Sequence, residues 1–215
     1  MSDMTSKNTK DLIESLSADL EVIKPIAHPV FRVIPWVVFS VIYSVIIVKY
    51  LGMRSDIVPK MTDPYFLFEI VLVISMSLSA AIAAAWICVP DMRGQKWMIA
   101  VPFSLLFVFA MLIGIKAIVE SYTAPGLFWH KCVTEATIFG VLPVLAIIVL
   151  TIRGKTTRPV MLSIMNVISV GGLAYAGLRL TCMSDNIGHV NTFHILPYLV
   201  FGLLISLIAR RLYRW

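Results

Sequence analysis

The charged residues of this chain gather into short clusters, and the apolar runs between clusters are close to the ~20 residues an α-helix needs to cross a hydrocarbon core. That spacing excludes most folds at once. A lipid-exposed segment has no water to satisfy its backbone N–H and C=O groups, so it must close its hydrogen bonds internally, as a helix or as a closed barrel. The strict alternation of barrel strands is not visible. The chain therefore reads as an all-α polytopic membrane protein, a bundle of six transmembrane helices preceded by a short amphipathic helix. The spans are expected at Ile34–Leu51, Tyr65–Val89, Trp97–Val119, Cys132–Ile152, Val160–Leu180 and Ile187–Ala209. Composition agrees. Hydrophobic residues make up 59% of the chain and charged residues 14%, where a soluble domain is nearer half apolar. Trp36, Tyr65, Trp97, Trp129 and Tyr213 fall near span ends, where aromatic belts form.

The net charge is +6. In a soluble protein that excess would suggest nucleic acid; here it reads as orientation, because basic residues collect on cytoplasmic loops. With the amino terminus inside, the inner segments hold twelve basic residues: Lys7, Lys10, Lys24, Arg32, Arg93, Lys96, Arg153, Lys155, Arg158, Arg210, Arg211 and Arg214. The outer segments and helix ends hold six: Lys49, Arg54, Lys60, Lys116, Lys131 and Arg179. Both termini are thus expected in the cytoplasm, and an even number of spans requires them to share a side. The polar opening "MSDMTSKNTKDLIESLSADLEVIK" does not have the form of a secretory signal. In this orientation Cys132 and Cys182 lie outside and Cys88 inside, so two of the three thiols share the face where disulfides persist, the periplasm of a Gram-negative host.

Residues 1–29 form the expected cytoplasmic tail and 30–215 the membrane domain. In the tail Leu12, Ile13, Leu16 and Leu20 recur at helical spacing. Thr9 or Asn8 is the expected N-cap, and Pro25 and Pro29 close the pattern. The opposite face carries Asp11, Glu14, Asp19 and Glu21, and the tail's net charge is −2, from five acids (Asp3 included) and three lysines. A helix that binds the anionic inner leaflet is basic. An acidic amphipathic one suits a protein partner with a basic surface, through Leu12, Ile13, Leu16, Asp19 and Leu20, or else packing on the chain's own basic loops.

Ionisable residues inside spans mark function or anchoring. Glu69, Lys116, Glu120, Glu135 and Arg179 all lie near the outer boundary, within snorkelling reach, and none sits at the midplane. This argues against a proton relay or transport path. Small residues in "SMSLSAAIAAA" and around Gly171, Gly172 and Gly177 read as close bundle packing. Pro35, Pro102, Pro143 and Pro197 are expected to kink or end local turns.

Chemistry concentrates on the outer face. "FWHKCVTEA" contributes His130, Cys132 and Glu135. "LRLTCMSDNIGHVNTFHILP" contributes Arg179, Cys182, Asp185, His189 and His194. If the two cysteines meet, Glu135 and Arg179, each one turn into the membrane, are placed to pair beneath them, and Arg179 and Lys131 would favour the thiolate. A zinc site is the competing reading, in which tetrahedral geometry would combine Cys132 and Cys182 with two histidines. Its weakness is spacing: His189 and His194 are five residues apart, about 140° around an α-helix, and no C-x2-C or H-x3-H pair is present. A redox-active pair, a metal-sensing site and inert loop residues remain the three readings of the cluster.

The segment "TKDLIESLSADLEVIKP" before the first span, "CMSDNIGHVNTFHILP" before the last, and the terminal "ARRLYRW" together resemble the NrsF-type membrane anti-sigma factors, over essentially the whole chain. Met183 and Phe193 stand where that family often has Pro and Trp. The resemblance implies a non-enzymatic regulator without a cofactor. It would hold an extracytoplasmic-function sigma factor at the bacterial inner membrane and release it under oxidative or heavy-metal stress, with Cys132 and Cys182 as the sensing pair. The partners implied are that sigma factor and the lipid bilayer, with no direct nucleic-acid contact and with self-association left open. A small membrane transporter or a thiol-redox membrane subunit is the alternative. Transport lacks a polar path through the spans, and a thiol oxidase would want C-x-x-C or histidines within them.

Overall fold

The computed structural model describes residues 9, 11–15, 17–18, 28–89, 95–123, 125, 131–152 and 156–213. Six helices are long and apolar enough to cross a membrane: α1 (Pro29–Leu51), α2 (Pro64–Ile87), α3 (Trp97–Val119), α4 (Lys131–Ile152), α5 (Pro159–Thr181) and α6 (Ile187–Leu212). No strand occurs among the described residues. The chain is an all-helical membrane protein. Every boundary agrees with the sequence expectation to within a few residues except the first, where α1 begins at Pro29. Proline is favoured in the first turn, where its missing N–H would have had no partner; Pro64 and Pro159 open α2 and α5 in the same way. Asp63 caps α2, its carboxylate accepting from the Tyr65 backbone N–H at 3.0 Å. Pro35, Pro102 and Pro143 lie inside continuous helices.

α5 is the centre of the bundle. Most of its spanning window is buried (61%), against 11% for α3, so α3 presents most of its surface outward. α2 packs along α5 through its small residues: Ala80, Ala81, Ala83, Ala84 and Ala85 are all buried. A Cβ at Gly172 would meet the Val73 carbonyl at 3.1 Å, so the small-residue runs serve close packing, as expected.

Each end of the bundle carries a polar cluster. At one end Asn166 of α5 donates to Thr151 Oγ1 (3.2 Å) and to the Tyr213 hydroxyl (3.1 Å). The Cys88 thiol lies 3.7 Å from the Thr151 carbonyl. Trp36 and Tyr213, read from sequence as belt residues, are instead buried; the Trp36 indole N–H donates to the Pro143 carbonyl at 3.0 Å. The helix-to-helix connections at residues 52–63, 120–123 and 182–186 meet at the opposite end, where the chemistry lies.

Ahead of α1, Thr9, residues 11–15 and residues 17–18 are helical, with Leu12 and Ile13 exposed. Thr9 lies within that helix. Leu16, Asp19 and Leu20 lie outside the described residues, as does His130.

Candidate functional site

Cys132 stands in the first turn of α4 and Cys182 caps the C-terminus of α5, its N–H donating to the Leu178 carbonyl at 2.8 Å. The two helices bring the sulfurs to 3.6 Å of each other across fifty residues of chain. Both thiols are buried, and Phe193 packs with them in a small apolar cluster with Val133 at its edge. Either sulfur can donate in this contact; with Cys132 as the donor, the hydrogen bond lowers the Cys182 thiol. A lowered thiol is the reactive form.

Two histidines complete the cluster. Asn186 caps the start of α6, its side-chain oxygen accepting from the His189 N–H at 3.1 Å. The His189 Nε2 sits 3.5 Å from the Cys182 sulfur. Val190–Ile195 then winds as a π-helix, in which the Leu196 N–H reaches the Asn191 carbonyl, five residues back. Here the expectation that His189 and His194 occupy different faces is overturned. A residue five positions on is rotated about 140° in an α-helix but lies one turn along in a π-helix. The two rings accordingly pack 5.3 Å apart, edge to face. One ligand atom from each of Cys132, Cys182, His189 and His194 lies within 4.8 Å of every other.

Beneath the thiols the expected Glu135–Arg179 pair does not form. Glu135 faces Lys131 at 3.4 Å, one turn away on its own helix. Arg179 instead reaches across to α2, its Nε 2.8 Å from Glu69 Oε1 and its Nη2 3.2 Å from Glu69 Oε2. The Tyr175 hydroxyl donates to the same carboxylate. Helix rotation decides this: Glu135 and Arg179 share a depth but not a facing side.

Asp185 links the Cys182 segment to the rest of this end. Its carboxylate accepts from Arg179 Nη1 (2.7 Å), Lys60 Nζ (2.7 Å) and Arg54 Nη2 (3.0 Å), and its carbonyl accepts from Lys116 at 3.3 Å. Partial burial works against the Asp185 carboxylate, but the hydrogen bonds from Arg54, Lys60 and Arg179 outweigh it and hold it well below the usual carboxylate range. Arg54 is 2% exposed and also binds Asp56 at 2.6 Å, and its N–H donates to the Leu180 carbonyl at 3.0 Å. The Asp56 carboxyl is lowered by that hydrogen bond. A Cβ at Gly188 would collide with the Thr123 carbonyl, so the α3–α4 connection also rests on this segment.

Sequence reasoning placed Cys132, Cys182, Asp185, Arg179, His189 and His194 at one end, and the structure brings all six together. It missed Arg54 and Glu69 as members. A signal was present: Glu69 and Arg179 lie at similar depths from the same end, and buried charges are found paired. The family model described as "Negative regulator of sigma F" (NrsF) matches residues 16–215. No curated protein and no solved structure matches the chain.

Proposed function

Since the chain belongs to the NrsF family of negative regulators of sigma F, we propose that it is a membrane anti-sigma factor that senses thiol chemistry at one end of its bundle and holds its partner at the other. The partner is an extracytoplasmic-function sigma factor, held by the acidic amino-terminal helix through Leu12, Ile13, Leu16, Asp19 and Leu20. The membrane is the bacterial inner membrane, with both termini cytoplasmic, as the distribution of basic residues favours.

The observation that carries the sensing role is the 3.6 Å separation of the Cys132 and Cys182 sulfurs. A disulfide needs ~2.05 Å, so oxidation brings the two sulfurs about 1.5 Å closer and ties the start of α4 covalently to the end of α5. A peroxide-class oxidant takes the two electrons, the sulfurs join, and the two thiol protons leave with the reduced oxygens as water. The strain falls on α5, which is pinned to α2 by Arg179–Glu69 and meets α4 and α6 at Asn166. A displaced α5 therefore reaches the end where the tail begins. Changing sigma affinity a hundredfold corresponds to about 2.7 kcal/mol, within what a disulfide supplies.

The direct test is deletion of residues 1–24. The truncated protein should still insert in the membrane and no longer co-purify with its sigma factor. Undiminished co-purification would overturn the tail as the holding segment.

A further inference from the structure

Two of the distances among the four ligand atoms of the thiol cluster match the edges of a tetrahedral metal site, and all four atoms lie within 4.8 Å of one another. A tetrahedral cation with bonds of about 2.3 Å to sulfur and about 2.05 Å to imidazole nitrogen imposes S–S edges of about 3.7 Å and S–N edges of about 3.5 Å. The observed Sγ–Sγ distance is 3.6 Å, and Cys182 Sγ to His189 Nε2 is 3.5 Å. A second, independent observation concerns His194. It is 0% exposed, and among the described residues neither ring nitrogen has a hydrogen bond of good geometry, the Cys182 thiol being the polar group that it faces. Buried imidazole nitrogens are normally satisfied, and a cation in the cluster would engage one of them. The π-turn adds a third. Such turns are rare and cluster at functional sites, and this one is what makes residues five apart into neighbours.

We propose that Cys132, Cys182, His189 and His194 form a closed, four-coordinate site for a thiophilic cation of the Zn2+ class. The proposal deepens the sensor reading, on whose thiol pair it rests. On loading, Cys132 and Cys182 each give their Sγ proton to water, the two imidazoles donate lone pairs as neutral ligands, and the cation sheds its waters; no electron moves. Two thiolates and a divalent cation sum to zero charge, which suits a site buried at the membrane edge. The loaded state ties α4, α5 and α6 to one centre and keeps both sulfurs from forming a disulfide, so occupancy sets the threshold for oxidation.

The test uses the full-length reduced protein in detergent, stripped with a chelator, with Co2+ as the spectroscopic probe. One Co2+ should bind per chain, giving the intense visible bands of a tetrahedral ion and a thiolate charge-transfer band, and Zn2+ should displace it. His189→Ala and His194→Ala should each weaken binding at least tenfold. Cys132→Ser and Cys182→Ser should weaken or remove the charge-transfer band, and Cys88→Ser should behave as wild type. A weak octahedral spectrum, or an affinity unchanged when both histidines are replaced, overturns the four-ligand site. Because His194→Ala removes a fully buried side chain, the wild-type protein carries a second readout: Zn2+ should slow alkylation of Cys132 and Cys182 at least tenfold and a chelator should restore it, and absence of protection overturns the proposal. Sigma capture is scored in the same preparation. Capture without Co2+ binding rejects the metal site alone; Co2+ binding without capture rejects the anti-sigma reading alone.

Discussion

Arg179 on α5 and Glu69 on α2 form an ion pair at 2.8 Å in which each side chain is only 2% exposed. Within a bilayer such a pair adds to the close packing and the Ser77 and Tyr175 hydrogen bonds that join the same two helices. It lies one turn below Cys182, so the thiol's helix cannot move without moving α2 or breaking the pair.

Removing one partner should be severe. Arg179→Met leaves the Glu69 carboxylate buried with Tyr175 as its one remaining donor among the described residues, and breaking a buried pair costs roughly 3–5 kcal/mol. Glu69→Gln should cost less, since Arg179 keeps Asp185 and an amide oxygen. Thermal unfolding in detergent should show the double variant less destabilised than the sum of the singles; strict additivity would mean that the two side chains do not interact.

Gly177 faces the Phe139 ring, and a Cβ there would come within 2.5 Å of it. Phe139 is 1% exposed and has no room to retreat. Gly177→Ala should destabilise by about 1–3 kcal/mol, as overpacking does, and Phe139→Leu should recover part of the loss in the same unfolding assay.

The carboxyls of Asp185 and Asp56 are lower in the folded protein than in the unfolded chain. Their contribution is therefore fully present above the unfolded value, about 3.9 for Asp, and is lost as pH falls through that value toward the folded one. The midpoint of thermal unfolding should be flat near neutrality and drop in acid. Asp185→Asn should lower the neutral plateau and shrink the acid dependence. An unchanged acid limb would show that Asp185 is not its source.

Cysteine variants should divide by position. In a reporter for the sigma regulon, Cys132→Ser and Cys182→Ser should abolish the response to oxidant. Cys88→Ser, at the far end of the bundle beside Thr151, should keep it. An intact response in the double variant would remove the thiol pair from sensing.

At the other end, Tyr213→Phe deletes the hydroxyl that accepts from Asn166. The loss should be about 1 kcal/mol, as for one hydrogen bond. If this end relays the signal, basal reporter activity should rise while oxidant still acts. A basal level equal to wild type would exclude Tyr213 from the relay.

The number, order and extent of the helices were legible in the chain alone, because a lipid-exposed backbone must satisfy itself within one continuous segment, which leaves its mark as an apolar run. Even there, the first span starts five residues before the apolar run suggests, at Pro29, since a proline suits the first turn of a helix. The grouping of Cys132, Cys182 and Asp185 at one end followed from counting spans. What only the tertiary structure decided were partners and facings. Arg179 pairs with Glu69 rather than Glu135 because rotation about the helix axes selects among acids at one depth. His189 and His194 become neighbours because a π-turn replaces an α-turn, a change of backbone winding that a five-residue spacing does not announce. Span positions are set by contact with lipid, residue by residue; pairing across helices is set by how six surfaces fit together.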